Sequence, residues 1–206
     1  MTRIWRRLAV GDATPLEALL DPGFVAIDVE TTGLNARRDA IVAVAAIPFE
    51  GGRSRPGLVT LVNPGRPIPP QSTAIHGISD AAVADAPPMR EVLPRFDALC
   101  TRRIMVGHDV AFDVAMLKQA RTHAVGLAPR LTLDTRQLAR AVGFRDTGLE
   151  HLAPQLRVPV VGRHTAEGDA RMAGEILIAL LPPLRRHGAR TLGDLLRLQR
   201  TAPVED

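Results

Sequence analysis

The chain has 206 residues, of which 46% are apolar and 23% are charged, and its formal net charge is +4. This length suits a single packed domain, and the apolar share excludes an intrinsically disordered chain. The lone cysteine, Cys100, excludes an intramolecular disulfide and a multi-cysteine zinc site. The small positive charge permits a polyanionic partner such as nucleic acid without requiring one.

No apolar run reaches the roughly 20 residues of a membrane span. An export signal after Arg6-Arg7 would need an apolar core, but Asp12, Pro15 and Glu17 interrupt that stretch. We therefore expect a cytoplasmic protein. The predicted organisation is an N-terminal extension over residues 1–22, one domain over 23–183, and a C-terminal helix and tail over 184–206.

Three apolar, β-branched runs open the predicted domain, at residues 24–29, 41–49 and 58–62. Turn residues such as Gly51-Gly52 separate them, so they predict an antiparallel meander. The proline-rich segment that follows, residues 64–70, cannot be a central strand and predicts a loop.

Helical and strand patterns alternate after this loop. Helical spacing covers residues 89–99, 111–123, 137–142, 149–156, 166–181 and a terminal stretch around 192–198. Short apolar runs at 104–107 and 131–133 predict two further strands. The pattern predicts an α/β fold, in which helices flank both faces of a mixed β-sheet, with an antiparallel meander and parallel strands.

Two acids, Asp28 and Glu30, stand two residues apart at the end of the first run. In a strand this spacing directs both side chains to one face, where they repel each other unless a cation lies between them. Carboxylate oxygens are the ligands that hard divalent cations prefer. Taken alone, the pair is equally compatible with an ordinary acidic strand end.

A third acid, Asp113, falls in the first turn of the helix that follows a buried strand. The helix dipole favours a carboxylate there, which is also its ordinary explanation. Asp109 is a candidate N-cap of this helix, which would leave Asp113 free to project toward the edge of the sheet.

The segment from Arg163 to Asp169 combines a histidine with a fourth acid. Thr165 is a candidate N-cap, which places His164 in the preceding loop and Asp169 on a small, apolar helical stripe. A buried acid is costly unless it is paired or binds a metal. Four carboxylates and a histidine base are the groups that two-metal phosphodiester hydrolysis needs.

Four ordered motifs resemble the DEDDh (DnaQ-like) exonucleases, which include the epsilon subunit of DNA polymerase III and ribonuclease T. The motifs lie at residues 28–34, 76–78, 108–113 and 164–169. The resemblance implies a ribonuclease H-like fold and 3′-to-5′ removal of nucleotides. It also implies two Mg²⁺ or Mn²⁺ ions per active site, with His164 as general base and as metal ligands Asp28, Glu30, Asp113 and Asp169.

The resemblance further implies contacts with substrate at Thr31, Thr32, Leu34, His76, His108 and Phe112. His76 would lie near the 3′ end and Phe112 would stack on a base. Two positions depart from the family pattern, since Asp109 stands in place of the usual Asn and Ala43 in place of a common Glu. The extra carboxylate of Asp109 would either weaken phosphate binding nearby or cap the helix.

Three functions stay open at this point. The first is a 3′-to-5′ exonuclease on DNA, of the proofreading or repair type; the second is an exoribonuclease that trims RNA 3′ ends. The third is a non-catalytic nuclease-fold module of a polymerase complex. The expected partner is the single-stranded or frayed 3′ end of a nucleic acid, with a DNA polymerase subunit or a second copy of the chain (a homodimer) as further candidates. Arg37, Arg38 and Arg163 are candidate phosphate contacts.

Overall fold

The computed structural model describes residues 13–21, 23–101, 103–121 and 131–202. Its centre is a six-stranded sheet in the order β3-β2-β1-β5-β6, and β4 also pairs with β2. The strands are β1 (Phe24–Thr31), β2 (Ile41–Glu50), β3 (Arg53–Ser54), β4 (Leu58–Leu61), β5 (Met105–Gly107) and β6 (Thr132–Asp134).

Both predicted kinds of strand pairing occur in this sheet. β2 runs antiparallel to β1, β3 and β4, whereas β5 runs parallel to both β1 and β6. The predicted mixed sheet and meander are therefore confirmed. The two-residue strand β3 was not predicted, because its charged and polar residues lack a strand pattern.

Eight helices flank the sheet in the described part of the chain. They are α1 (Pro70–His76), α2 (Asp80–Val83), α3 (Met89–Cys100), α4 (Ala111–Ala120), α5 (Thr135–Ala141), α6 (Leu149–Gln155), α7 (Ala166–Arg186) and α8 (Leu192–Thr201). The two short helices α1 and α2 were not predicted. Pro70 occupies the first turn of α1, a position where the missing amide donor costs nothing.

The two faces of β1 pack against different helices, because successive side chains of a strand point to opposite faces of the sheet. Phe24 and Ala26 belong to a core with α7, whereas Val25, Ile27 and Val29 belong to a core with α3 and α4. Asp28 and Glu30 lie on the same face of β1 as Phe24 and Ala26. The acids therefore leave the strand on the side of α7.

Helix α7 ends at Arg186, five residues later than predicted. The buried stripe continues at Leu180, Leu181 and Leu184. This packing carries the helix through Pro182 and Pro183, although each lacks the amide donor of an ordinary helical residue.

The segments at the two ends of the described chain share one core. Leu16 and Leu19 pack in the same cluster as Leu192, Leu195 and Leu196 of α8. Pro15 also bridges to Thr191, which forms a capping box at the start of α8. The predicted division into extension, domain and tail stays a prediction, and residues 1–12, 22 and 203–206 lie outside the described residues.

The predicted helix over 111–123 ends earlier, at Ala120, and Arg121 is its C-cap. Residues 122 and 123 of that prediction lie outside the described part. Among the helices that are described, none has the length and apolar character needed to cross a bilayer. The cytoplasmic location stays a prediction.

Gly174 on α7 lies under the stacked rings of Phe24 and Phe49, whose centroids are 4.9 Å apart. A Cβ atom at residue 174 would come within 2.2 Å of the Phe49 ring. We expect Gly174→Ala to lower the free energy of unfolding by about 1–2 kcal/mol, since overpacking exceeds the gain in helix propensity. Denaturant titration measures this change. The neighbouring Glu175→Ala is the control and should stay within about 0.5 kcal/mol of the parent; equal stability of both variants would contradict the packing argument.

Candidate active site

Three carboxylates from two elements meet at the end of β1. Oxygen atoms of Asp28, Glu30 and Asp169 all lie within 4.8 Å of one another. On the neighbouring strand, Asp28 pairs with Ala45 and Glu30 with Ala43. The small side chains opposite the acids leave the space that α7 uses to bring Asp169 to them.

Asp169 reaches this cluster because α7 begins three residues earlier, at Ala166. Thr165 is the N-cap, and its hydroxyl accepts a hydrogen bond from the Gly168 amide at 3.1 Å, as the sequence predicts. Asp169 is 8% exposed. Its Oδ2 accepts a hydrogen bond from Arg163, whereas its buried Oδ1 has no hydrogen-bond partner among the described residues.

Asp113 approaches from the opposite helix layer. It is buried in the first turn of α4, and its Oδ1 accepts a hydrogen bond from the Val29 amide at 2.9 Å. This contact fixes Asp113 against β1 between the two acids of the strand. Asp113 is not part of the three-carboxylate cluster, so the structure brings three of the four predicted ligands together directly and holds the fourth beside them.

Asp109 is not the N-cap of α4, which corrects one of the two interpretations of this residue. The N-cap position belongs to Val110, and Asp109 adopts a left-handed conformation with φ of 58°. Its carboxylate instead forms an ion pair with Arg136 at 2.5 Å. The charge of Asp109 is therefore balanced within the protein.

The residue that supports the start of α4 is Asp134, which the sequence did not single out. Its two oxygens accept hydrogen bonds from the Asp109 and Val110 amides at 3.2 and 3.1 Å. Asp134 also caps α5 through the Arg136 amide at 3.0 Å. An acid between an apolar strand and a helix is a recognisable N-cap signal, so the cap of α5 could have been predicted. The contacts of Asp134 with the start of α4 depend on the pairing of β5 with β6.

Burial is the main cause that raises the pKa of the acids in this region. It raises the pKa of Glu30 to about 7, with Asp169 adding repulsion. Burial likewise raises the pKa of Asp113 to about 8. The pKa of Asp28 is raised by burial, and then by the charges of Asp113, Asp169 and Glu30. A buried group of mutually repelling carboxylates is an arrangement that a cation would stabilise.

His164 lies in the loop before α7, as predicted, and its side chain is exposed. Its φ of 60° is a left-handed conformation that is uncommon for a residue other than glycine. The loop is packed closely, because a Cβ atom at Gly168 would come within 2.0 Å of the Gly162 carbonyl oxygen. The loop geometry therefore fixes where the backbone of His164 lies relative to Asp169.

The loop after β1 is held by Asp39, another residue that the sequence did not single out. Asp39 Oδ1 accepts from the Thr32 hydroxyl at 3.2 Å, and Oδ2 accepts from the Asn35 amide at 2.8 Å. The Thr31 hydroxyl donates to the Gly33 carbonyl at 2.7 Å. Both threonine hydroxyls thus shape the loop, and they leave Leu34 89% exposed.

The remaining predicted substrate residues differ in burial. His76 ends α1 and is buried, with its Nδ1 accepting from the Ile78 amide at 3.0 Å; burial lowers its pKa. The His108 ring bonds to the Thr135 hydroxyl at 2.9 Å, and burial lowers its pKa to about 4. Both rings are therefore neutral near pH 7, and Phe112 is half-buried against the core of α3 and α4.

A third residue that the sequence did not single out is Glu150, in the first turn of α6. Arg163 donates to Glu150 Oε2 at 3.0 Å and to Asp169 Oδ2, and so joins two acids from different helices. The sequence offered Arg163 as a phosphate contact. Nothing in the sequence pairs Glu150 with it, because an acid in a first helical turn is common.

The donor set fits a hard divalent cation. Three carboxylates supply oxygen ligands, and the unpartnered Asp169 Oδ1 is a buried acceptor that such an ion would satisfy. Soft metals are not matched by this set, because it contains no thiolate or thioether ligand.

A protein-family model described as an exonuclease, of the ribonuclease T type, matches residues 25–177. The DNA polymerase III epsilon subunit of Aquifex aeolicus is 34% identical over 186 residues, which cover 88% of this chain and 91% of that protein. The chain therefore belongs to this exonuclease family. It is also 40% identical over 190 residues to a DNA polymerase III epsilon-like protein of Rhodobacter capsulatus, but it spans only 27% of that protein's length.

Solved structures agree with this assignment. Exonuclease X in complex with 5′ overhanging duplex DNA superposes with a TM-score of 0.66 and 26% identity, over 85% of this chain and 99% of that one. Exonuclease I superposes with a TM-score of 0.67 at 18% identity, covering 80% of this chain and 42% of that chain, which supports the fold alone. The predicted ribonuclease H-like fold and family are thereby confirmed.

Between about pH 6.5 and 8.5, we expect the chelator-treated protein to lose stability as the pH rises. The folded chain keeps protons on Glu30 and Asp113 until their pKa values of about 7 and about 8, whereas both acids ionise near pH 4 when unfolded. The folded state therefore binds more protons in this window, and the free energy of unfolding falls with pH. The lowered pKa values of His76 and His108 act in the opposite direction, but only below about pH 6.5.

Denaturant titrations at several pH values in EDTA measure this slope. Asp28→Asn should flatten the slope, because it removes one of the acids whose pKa is raised in the folded chain. Glu167→Gln on the exposed side of α7 should leave the slope unchanged. Stability that rose with pH across this window would contradict the burial of these acids.

Proposed function

We propose that this protein is a metal-dependent 3′-to-5′ exonuclease that hydrolyses phosphodiester bonds at the 3′ end of DNA. The observation that carries the proposal is the cluster of Asp28, Glu30 and Asp169 at the end of β1, in which one buried oxygen has no partner among the described residues. Membership of the exonuclease family supports the reaction type. The likeness to exonuclease X, whose structure contains duplex DNA, supports DNA as the substrate class.

In this proposal the carboxylates hold two Mg²⁺ or Mn²⁺ ions. Asp28, Glu30 and Asp169 supply the clustered ligands, and Asp113 adds a fourth carboxylate that Val29 keeps in place. The bound ions would activate a water molecule and stabilise the negative charge that develops on the phosphate oxygens. The contribution of the protein is to hold these acids close together before any ion arrives, at the cost of their mutual repulsion.

His164 is proposed as the general base. It is exposed, so it can exchange protons with solvent, and its backbone is anchored by the packed loop before α7. Histidine is the side chain that most often serves as a general base. In this role His164 removes the proton of the attacking water and passes it to solvent.

Substrate binding is proposed at the loop after β1 and at the start of α4. Leu34 presents an exposed apolar side chain for contact with the terminal base, on a loop that Thr31 and Thr32 stabilise. His76 and His108 would border the 3′ end as neutral rings, and Phe112 would pack against a base. With five Phe and one Trp in the whole chain, extended stacking along a strand is not expected.

A partner is proposed to supply processivity. The named relatives include DNA polymerase III subunits, of which the epsilon subunit of Aquifex aeolicus is covered almost completely. A DNA polymerase subunit is therefore the proposed partner class, and a homodimer is the alternative that the sequence left open.

We expect Asp169→Asn to reduce nuclease activity by at least about a thousandfold while keeping the fold, because removal of the charge weakens metal binding. The matched control is Glu167→Gln, which removes an exposed acid from the same first turn of α7 and should keep near-parent activity. The assay uses 3′- and 5′-labelled DNA and RNA oligonucleotides with Mg²⁺, Mn²⁺ or EDTA. The expected result is early release of the 3′ label and stepwise shortening of the 5′-labelled strand, both only when the metal is present.

The same assay separates the alternatives. Faster trimming of RNA than of DNA would replace the proposed substrate by RNA. Saturable binding of either oligonucleotide without any cleavage would instead favour a non-catalytic module, and full activity of Asp169→Asn would refute the proposed centre.

His164→Ala should lower the rate of cleavage by about a hundredfold or more near neutral pH, the usual contribution of a general base. Part of the loss should be recovered as the pH rises, since hydroxide then replaces the base-assisted water. Rate measurements across a pH series test this directly. His187→Ala, an exposed histidine at the C-terminal end of α7, is the control. A uniform loss at every pH would indicate that His164 has a structural role instead.

A further inference from the structure

Arg163 joins the carboxylate cluster to an acid outside it. One terminal nitrogen donates to Asp169 Oδ2, and the other donates to Glu150 Oε2 at 3.0 Å. The Arg163 side chain is 23% exposed, so the guanidinium lies mostly within the protein. It is therefore shared between a proposed metal ligand and a residue that has no place in the proposed centre.

The positive charge of Arg163 acts on all three carboxylates of the cluster. Among the groups that shift the pKa of Asp28 and Glu30, Arg163 is the one whose charge lowers it, against burial and the neighbouring acids. In the described part of the chain, the guanidinium is thus the cation that offsets the repulsion of these carboxylates.

A divalent ion and this guanidinium compete for the same carboxylate. Arg163 donates to Oδ2 of Asp169, whereas Oδ1 has no hydrogen-bond partner among the described residues and is open to another cation. Two cations on one carboxylate repel each other strongly where the surroundings are partly buried. An ion that binds at Asp169 therefore favours a position of the guanidinium farther from that oxygen.

Glu150 is placed to keep the guanidinium when Asp169 releases it. It lies in the first turn of α6, where the helix start favours a carboxylate, and hydrogen bonding to its own backbone amide lowers its pKa. Its side chain is 45% exposed, so it can follow a small movement of Arg163. The contact that Arg163 already makes with Glu150 means that the displaced guanidinium need not become unpaired.

We propose that Arg163 is the counter-ion of the metal-free centre, and that a divalent ion displaces its guanidinium from Asp169 onto Glu150. This inference rests on the metal site of the proposed function. Arg163 acts here as a positioning residue that tunes metal affinity. The exchange preserves charge balance, because the ion replaces the guanidinium at the cluster and Glu150 retains it.

The test is calorimetric titration of Mn²⁺ into the full chain, without nucleic acid, for the parent protein and five variants. Arg163→Met should bind Mn²⁺ about three- to tenfold more tightly, the size expected for loss of one ion-pair competitor. Glu150→Gln should bind it about threefold more weakly, because Arg163 then stays on Asp169. In the double variant, Glu150→Gln should not change the Mn²⁺ affinity further, since the guanidinium that Glu150 binds is absent.

The double variant separates this mechanism from simple electrostatics, in which loss of the Glu150 charge would weaken binding by the same factor with or without Arg163. Arg171→Met is the matched control, because Arg171 forms its ion pair with Glu167 on α7. Circular dichroism and thermal unfolding establish that each variant folds, and Arg163→Lys, which keeps the charge, should bind Mn²⁺ with an affinity between those of the parent and Arg163→Met.

Tight binding by the parent with unchanged affinity in Arg163→Met would overturn the displacement and leave the proposed function standing. Equal weakening by Glu150→Gln in both backgrounds would also overturn it. Absence of saturable Mn²⁺ binding by the parent would overturn the metal site together with this inference.

Discussion

Repulsion among carboxylates at the end of β1 is the constraint on which this structure depends. Carboxylate oxygens of Asp28, Glu30 and Asp169 lie within 4.8 Å of one another, and burial raises the pKa of the two acids on β1. Such a cluster opposes folding unless neighbouring packing outweighs it or a cation neutralises it. The long buried stripe of α7 and the apolar faces of β1 supply that packing, and the unfavourable charges lie beside these two apolar cores.

Backbone amides and helix caps do most of the positioning. The Thr165 cap sets where α7 begins and therefore where Asp169 points. The Val29 amide holds Asp113, and Asp134 holds the start of α4 through two amides. These are short contacts made by main-chain atoms, which change little when side chains move. The acids are thus held in place before an ion binds, and the cost of arranging them has been met by folding.

Arg163 is the one side chain of this arrangement that we propose to move when an ion binds. Its guanidinium touches Asp169 on one side and Glu150 on the other. In the metal-free centre the guanidinium balances the negative charge of the carboxylates. Glu150 can keep the guanidinium when an ion takes its place at Asp169. A second ion pair, between Asp109 and Arg136, balances the acid that precedes α4.

The sequence by itself determined the mixed sheet, the strand acids, the Thr165 cap and the buried stripe of Asp169, because period-two and period-3.6 patterns and cap residues are local signals. Only the tertiary structure decided that Asp113 is held by the Val29 amide, that Val110 rather than Asp109 caps α4, and that Glu150 shares Arg163 with Asp169. Those contacts join residues 13 to 84 positions apart, or depend on a left-handed backbone turn. No local pattern encodes them, since they follow from how strands and helices pack.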